Sequence, residues 1–452
     1  EEKFNQVRDE LALLLPNIVE SFVDAALKSG DLQVKQTNLD LSVDAMKLVD
    51  TTSYIPASRK KGNAVLAAQL ERIKEKTISL NRHIDRTTEL NATIKEMEAA
   101  SGQGNTRRAF NGRQDLLREF PELENDAILL NAVLKISESE QQLVKVTATS
   151  EFEVSQQDHQ LAAEDTVVTF VTSGEIIPTA GPHVAFVLAG GSVYGVEVRS
   201  GKVLWRRFVG FETIIHPRAV SADPAADALV VDGKRHELLR LDARSGALKW
   251  RLAINMPFSN PLLINGQAVV NTRPVAADDA SQMLRVDLQS GAVAAAISFP
   301  MQVQVPPAYD VETNSFFQVG QHSNLYVVSA ESNVCTDVLY ASHSDGGVQV
   351  GPVAAVGYVV ICENVEEDRS LVRIFQTDKT TGKVKIAQRP ISLKGKVVVP
   401  PIQYDRRVLV ATDLGEIRVY EVDPNISPPV QEMAGITASF TAPVIQFPLV
   451  DQ

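Results

Sequence analysis

Residues 191–205, GSVYGVEVRSGKVLW, decide the fold of the larger part of this chain. The stretch alternates apolar and polar residues, turns at Ser200-Gly201 and ends on Trp205, which is typical of two strands joined by a tight turn. It returns 45 residues later as LLRLDARSGALKW, ending at Trp250, and after another 45 residues as MLRVDLQSGAVAA. A fixed period of this length indicates a repeat architecture.

Six copies of this hairpin follow one another along the chain. The turn positions, spaced by 45, 45, 42, 49 and 43 residues, are Gly201, Gly246, Gly291, Asn333, Gly382 and Asn425. A tight hairpin turn needs a residue with positive φ, which glycine or asparagine accepts most readily. A second apolar pair of strands, often introduced by proline, precedes the copies. Four antiparallel strands per unit predict the blades of a β-propeller over residues 146–452.

The ends of this region bear on how the propeller closes. Residues 440–450, FTAPVIQFPLV, match the opening strands of a further blade, and two strands near 146–154 and 166–172 precede the repeats. A ring can close by sharing one blade between both ends of the chain, which removes exposed sheet edges. We therefore predict seven blades, the last incomplete or closed by strands near 146–172, with eight blades as the alternative.

Residues 1–145 predict an α-helical region, so the fold class is a multidomain α plus all-β protein. The longest helix, over 63–100, carries a heptad seam that slips by one residue before its last two members: Leu66, Leu70, Ile73, Leu80, Ile84, Leu90 and Ile94. We favour a helical hairpin within the chain over a second subunit as the partner of this seam, because further helices follow immediately in the sequence. Residues 106–144 predict a helical hairpin that loosely resembles a tetratricopeptide unit, and a plain antiparallel bundle fits equally well.

Composition limits the classes of function. The 452 residues are too many for one ordinary core, and 44% hydrophobic with 22% charged residues is typical of a soluble globular protein. A net charge of −12 argues against nucleic acid or an anionic membrane as the main partner. No apolar run is long enough to span a membrane. Cys335 and Cys362 form no CxxC motif, so two free thiols are favoured over a zinc site or a disulfide.

The copies VYGVEVRSGKVLW and LLRLDARSGALKW resemble the pyrroloquinoline-quinone-like (PQQ-like) propeller superfamily, the quinoprotein alcohol dehydrogenase-like fold. The resemblance covers about residues 165–450 and implies that Trp205 and Trp250 dock neighbouring blades. The later copies depart from the motif at Ala295, Thr336 and Ile386. We expect the blades that contain them to pack by other means.

That superfamily contains quinone-dependent dehydrogenases and non-catalytic scaffolds, among them the propeller lipoprotein of the bacterial outer-membrane β-barrel assembly machinery. Its enzymes carry a calcium-binding Glu/Asn/Asp set, a tryptophan stacked on the quinone and usually a pair of adjacent cysteines. This chain has no adjacent cysteines, and both of its tryptophans lie at the blade motif. Isolated polar residues in predicted loops are Asp310, Glu363, Asn364 and Asp413. We expect such residues to be solvated or to cap turns.

No HExxH, GxSxG or Walker motif occurs, so we predict no catalytic, cofactor-binding or metal site. The favoured hypothesis is a non-enzymatic scaffold of a bacterial envelope or a larger assembly, which binds other proteins through propeller loops and the helical region. One alternative is a PQQ- and calcium-dependent dehydrogenase, and another is a structural subunit that oligomerises through its N-terminal helices. The resemblance implies a periplasmic or envelope-associated location. Since the sequence begins with Glu1 rather than methionine, the absence of a leader excludes no compartment.

Overall fold

The computed structural model describes residues 2–159, 183–274, 280–321, 324–341, 343–344, 346–438, 440 and 442–445. The chain divides into two compact units, Glu1–Ala132 and Val133–Gln452. The first unit is helical and the second is built mainly of strands. The predicted border lies near residue 146, whereas the end of the last helix, from Val133 onward, belongs to the second unit.

The long helix predicted over 63–100 and the hairpin predicted over 106–144 lie close to their predicted positions. The helices are α1 (Glu2–Lys28), α2 (Leu32–Asp50), α3 (Ala57–Gly62), α4 (Ala64–Gly102), α5 (Thr106–Glu119) and α6 (Ala127–Leu143), with a short 3-10 helix at Pro121–Asn125 before α6. The long helix α4 starts after Asn63, whose side-chain oxygen accepts hydrogen bonds from the backbone N–H groups of Val65 (3.1 Å) and Leu66 (3.2 Å). Such a cap satisfies donors that the first helical turn leaves without a partner.

The heptad seam of α4 is buried inside the helical unit. Leu66, Ile73, Leu80 and Ile84 lie in one apolar cluster with residues of α1 and α2, and Leu70 packs against that cluster. Further along, Leu90 is buried and Ile94 half-buried, close to the contact between α4 and α5. The partners of the seam therefore include helices of the same chain, as the intramolecular interpretation requires.

The second unit contains six antiparallel sheets within its described residues, here called blades 1–6, and two short strands that precede them, β1 (Lys145–Thr147) and β2 (Val154–Ser155). Blade 1 has three strands, β3 (Val184–Ala189), β4 (Ser192–Glu197) and β5 (Val203–Phe208). Blade 2 has β6 (Arg218–Ala219), β7 (Ala228–Asp232), β8 (Glu237–Leu241) and β9 (Leu248–Ala253). Blade 3 has β10 (Leu262–Ile264), β11 (Gln267–Asn271), β12 (Gln282–Asp287) and β13 (Val293–Ser298).

The remaining blades follow the same strand order. Blade 4 has β14 (Ala308–Asp310), β15 (Ser315–Val319), β16 (Asn324–Ser329) and β17 (Cys335–Tyr340). Blade 5 has β18 (Val353–Ala355), β19 (Tyr358–Glu366), β20 (Arg369–Thr377), β21 (Val384–Ile386) and β22 (Ile391–Lys394), the last two both pairing with β20. Blade 6 has β23 (Ile402–Tyr404), β24 (Arg407–Ala411), β25 (Glu416–Val422) and β26 (Val430–Thr437).

This arrangement is a β-propeller, as the repeats predict. In blades 2, 3, 4 and 6 the strands pair in sequence order, and the first strands of blades 4, 5 and 6 lie next to one another. The count of seven blades stays a prediction, because the strand predicted at 166–172 and residues 446–452 lie outside the described residues. Residues 440 and 442–445, predicted to open a further blade, carry no strand.

The turn between the last two strands of a blade explains the recurring Asp-x-x-Ser-Gly pattern. In blade 2, Asp242 Oδ1 accepts hydrogen bonds from the N–H groups of Arg244 (3.1 Å) and Ser245 (3.0 Å) and from the Ser245 hydroxyl (2.9 Å). These bonds, led by the one from the Ser245 N–H, lower the pKa of Asp242. The following Gly246 has a φ of 67°, which a residue with a side chain rarely adopts.

Five of the six predicted turn residues have a positive φ. They are Gly201, Gly246, Gly291, Asn333 and Gly382, with φ between 61° and 78°. The prediction is wrong for Asn425, which does not have a positive φ. Its loop, between the end of β25 at Val422 and the start of β26 at Val430, is longer than a tight turn, so no single residue has to reverse the chain.

Both tryptophans of the motif lie against the turn of the next blade. Trp205 donates its indole N–H to the carbonyl oxygen of Ala243 (2.8 Å), and Trp250 donates in the same way to Leu288 (2.9 Å). A Cβ atom added at Gly246 would lie 2.6 Å from the ring of Trp205, and one added at Gly291 would lie 2.7 Å from that of Trp250. The turn glycines therefore leave room for these rings.

The later junctions use other side chains. Between blades 3 and 4, the Arg285 guanidinium donates to the carbonyl oxygen of Ala330 (2.6 Å) and to the side chain of Asn333, while Ala295 is buried. Between blades 4 and 5, the Thr336 side chain packs against the turn at Gly382. A Cβ atom added at Gly382 would lie 3.1 Å from the Thr336 hydroxyl oxygen.

Between blades 5 and 6, the Gln388 amide exchanges two hydrogen bonds with the backbone of Val430, at 3.2 and 3.0 Å. Ile386, the residue aligned with the motif tryptophan in blade 5, is 60% exposed. The junction is therefore made two residues further along the chain.

Replacing Gly291 by alanine tests the packing of tryptophan against a turn. Gly266 is the matched control, because its φ of 74° resembles the 78° of Gly291 but an added Cβ would meet nothing within 4 Å. We expect Gly266→Ala to cost about 1 kcal/mol through backbone strain and Gly291→Ala about 1–3 kcal/mol more, since the Trp250 ring must shift. Urea denaturation of the full chain measures both; equal losses would contradict this account of the junction.

Candidate functional site

Residues 133–155, here called the strap, cross three blades of the propeller. At the end of α6, Gln141 donates its side-chain N–H to the carbonyl oxygen of Cys335 in blade 4 (2.9 Å). The chain then adds β1 to the outer strand of blade 3, where Val146 pairs with Ile297. It continues to blade 2, where β2 places Val154 opposite Leu252 on the outer strand.

The strap corrects the prediction for residues 146–154. These residues were predicted as a strand that closes the last blade, but they form two shorter strands on blades 2 and 3. The outer edges of those two blades carry unpaired backbone groups, which an added strand satisfies. Closure by the other predicted strand, 166–172, stays a prediction, because it lies outside the described residues.

A buried hydrogen bond fixes the helical end of the strap. Tyr326 of β16 donates its hydroxyl to the carboxylate of Glu140 at 2.5 Å, and both residues have no exposed surface. Burial, together with the nearby charge of Glu140, raises the pKa of Tyr326 well above its usual value. The tyrosine therefore keeps its proton and remains the donor at physiological pH.

Replacing Tyr326 by phenylalanine removes this hydrogen bond while keeping the ring. The loss leaves the buried Glu140 carboxylate with one donor fewer, so we expect the free energy of unfolding to fall by about 1–3 kcal/mol. Tyr404→Phe is the control, because Tyr404 is 48% exposed. Urea denaturation followed by tyrosine and tryptophan fluorescence compares the two variants; the same midpoint for both would contradict an anchoring role of Glu140.

The propeller has a cavity where successive blades begin. It measures about 550 Å³ and is lined by residues that precede the first strands of blades 2–6, among them Ile214, Phe258, Val305, Val350 and Val398. A second cavity of about 350 Å³ shares Arg273, Val305 and Gln349 with it. The first cavity lies within the size range of sites for small molecules.

A short loop at the edge of the larger cavity exposes two large apolar side chains. Phe211 is 79% exposed and Ile214, which lines the cavity, is 82% exposed. The ring of Phe208, itself 39% exposed, lies edge-on to Phe211 with 5.3 Å between ring centroids. We call Phe208, Phe211 and Ile214 the apolar rim.

Thr213 holds this loop in place. Its hydroxyl donates to the carbonyl oxygen of Val209 (2.6 Å) and accepts from the N–H of Gly233 in the next blade (2.9 Å). The backbone of Gly191 packs so closely on the loop that an added Cβ would lie 2.9 Å from the nitrogen of Phe211. The apolar rim is therefore presented by an ordered loop, which lowers the entropy cost of binding through it.

The polar residues suggested by sequence do not assemble into a cofactor site. Glu363 accepts hydrogen bonds from the Ser344 N–H (2.7 Å), the Ser344 hydroxyl (2.8 Å) and Arg373 (2.6 Å). Asp413 accepts from the Lys396 N–H at 2.6 Å. Asp310, at the end of β14, accepts hydrogen bonds from Thr313, and Asn364 bonds with the backbone of Val397. Asp310 caps the turn after β14 as expected, whereas Glu363 and Asn364 lie on β19 and not in a loop, so the prediction is wrong for these two.

The residues present do not fit a bound quinone of the kind the superfamily's enzymes hold. Both indoles lie against neighbouring turns, where the amide carbonyls of Ala243 and Leu288 use their N–H groups. Among the described residues, no cluster of three or more His, Cys, Asp or Glu side chains is arranged to hold a metal ion. Cys335 and Cys362 are buried free thiols, as predicted, and burial raises the pKa of each to about 12.

The residues predicted from the blade motif lie at separate junctions around the propeller, and the seam residues lie in the helical unit. None of them lines either cavity. Phe211 and Ile214 of the apolar rim were missed because they occur once, in a loop between two repeats. The available signal was the run Phe208–Ile215, in which several apolar residues follow a completed copy of the motif.

Comparison with known proteins identifies the type of repeat. Residues 189–348, about a third of the chain, match a PQQ-like family model described as outer membrane protein assembly factor BamB. With the strand order described above, this match confirms a PQQ-like β-propeller. The tetratricopeptide-like hairpin stays a prediction. No curated protein matches the chain.

Several solved structures are similar at low identity. BamB from Moraxella catarrhalis is 14% identical with a TM-score of 0.36, covering 57% of this chain and 71% of that one. The WD40 domain of Toxoplasma gondii coronin is 10% identical with a TM-score of 0.42, covering 58% and 69%. Quinohemoprotein alcohol dehydrogenase from Comamonas testosteroni is 12% identical with a TM-score of 0.35, covering 53% and 51%. These scores are too low to carry an argument about function.

Among the described residues, no helix combines the length and the apolar character that crossing a bilayer requires.

Proposed function

We propose that this protein is a non-enzymatic scaffold that binds another protein at the apolar rim of its propeller. The observation that carries the proposal is the exposure of Phe211 (79%) and Ile214 (82%), three residues apart on a loop held by Thr213. Aromatic and aliphatic side chains of this kind, once buried by a partner, supply much of the energy of protein interfaces. Scattered apolar residues are common on surfaces, but a rigid cluster beside a cavity is not.

The hydrogen bonds that the polar residues Glu363 and Asp413 already make support binding rather than catalysis. Glu363 and Asp413 accept hydrogen bonds from backbone N–H groups of neighbouring loops, and the two thiols are buried. A catalytic group has to reach the reacting atoms with its own donor or acceptor. The described cavity linings include His236 and Glu212, but neither side chain forms a hydrogen bond with a hydroxyl or thiol of the described lining.

The envelope location is part of the proposal. It is supported by the match of residues 189–348 to a family described as outer membrane protein assembly factor BamB.

The type of partner is a separate point. The acidic net charge of −12 favours protein partners over nucleic acid. The partner itself is not implied by the match.

The double substitution F211S/I214S tests the binding surface. Both side chains are exposed, so we expect the free energy of unfolding to change by less than about 0.5 kcal/mol. Capture of the native partner should fall about tenfold or more, because two central apolar contacts are lost. Val311→Ser is the control, since Val311 is 79% exposed in a turn of blade 4.

The measurement is quantitative affinity purification of the tagged full chain from its native cell. A protein retained by the wild type and by Val311→Ser, but lost with F211S/I214S, supports the proposal. The same set of proteins captured by all three forms would contradict it.

Fractionation of native cells tests the location. We expect the protein to separate with periplasmic or membrane-associated markers, as a BamB-like scaffold would. Recovery with a cytosolic marker after gentle lysis would refute the envelope assignment, while leaving the binding surface to be judged by the substitutions.

A further inference from the structure

Arg273 is a charged side chain without a counter-charge in the described structure. It lines both cavities, and no described residue forms a hydrogen bond or an ion pair with its guanidinium. Desolvation by the atoms packed around the guanidinium lowers its pKa, although the residue as a whole is exposed. A guanidinium stays protonated at neutral pH even so. It is therefore partly stripped of water while its donors remain accessible from the cavities.

The surroundings of Arg273 favour an anion. The smaller cavity is lined by the side chains or backbone of Ser281, Gln302, Gln304 and Gln349, and no acidic residue is among its described lining. The larger cavity contains one acidic residue, Glu212, together with His236. In a protein with a net charge of −12, the described lining of the smaller cavity is therefore a local site of positive charge.

The geometry of the group narrows the class of anion. Guanidinium is planar and presents paired N–H donors that match the two oxygens of a carboxylate. The larger cavity adds apolar surface from Ile214, Phe258, Val305 and Val350, which suits a hydrocarbon body. A ligand that fills both cavities would therefore carry a carboxylate at one end and apolar groups next to it.

We propose that the two cavities form one binding site for a carboxylate with an apolar body, held by Arg273. The smaller cavity takes the carboxylate, with the glutamine amides as further donors, and the larger cavity takes the apolar part. The carboxylate can come from the C-terminus of a peptide or from a free organic acid. This site goes beyond the proposed protein-binding surface; Ile214 belongs to both, and the test below leaves Ile214 unchanged.

Calorimetry and ligand-detected NMR on the full chain test the site with three probes. Hexanoate is the free acid, N-acetyl-Leu-Phe is the peptide with a free carboxylate, and N-acetyl-Leu-Phe amide lacks the charge. Arg273→Gln removes the guanidinium. The matched control is Arg389→Gln, an exposed arginine that lines neither cavity. Circular dichroism and thermal unfolding verify that both variants fold like the wild type.

We expect at least one carboxylate probe to bind the wild type and Arg389→Gln about tenfold or more tightly than it binds Arg273→Gln. The amide should bind the wild type no better than the acid binds Arg273→Gln. Binding of the peptide acid alone assigns the site to a chain terminus, and binding of hexanoate includes free acids. The proposal is overturned if neither acid binds, if the amide binds as well as the acid, or if Arg273→Gln binds like the wild type.

Discussion

Contact between a blade and the turn of the next holds the described propeller together, because a single repeat unit cannot bury its hydrophobic face alone. The indole of Trp250 illustrates the constraint. It needs a neighbouring carbonyl for its N–H and an open space for its ring, and the turn at Gly291 supplies both. Where the tryptophan is absent, Arg285 and Gln388 reach the next blade by hydrogen bonds instead. The same requirement is therefore met by different chemistry around the propeller.

The strap serves the same requirement from outside. It hydrogen-bonds to the outer strands of blades 2 and 3 and anchors to blade 4 through Glu140 and Tyr326. A buried carboxylate is costly unless it is bonded, so this contact favours one position of the helix end. The segment that sequence analysis assigned partly to the helical region is thus a component of the propeller unit.

The structural features that could be predicted from the sequence are those that recur along the chain or extend over many residues. The hairpin and its turn glycines recur at a regular spacing, and helix α4 is long enough to show a heptad period. The structure contains all three features. The strap strands have three and two residues, Lys145–Thr147 and Val154–Ser155, too short for a periodic signal. Their positions depend on the free edges of distant strands. Phe211 and Ile214 of the apolar rim, and Arg273, each occur once, in loops between copies of the hairpin. They therefore have no repeating pattern from which they could be predicted.

The central claim is that the apolar rim contacts a partner protein, and crosslinking in the native cell tests it most directly. A photoreactive amino acid would replace Phe211 in one strain and Val311, equally exposed at 79%, in another. We predict a covalent adduct with one defined protein at position 211 and none at position 311. The same adducts at both positions, or no adduct at position 211, would contradict the account.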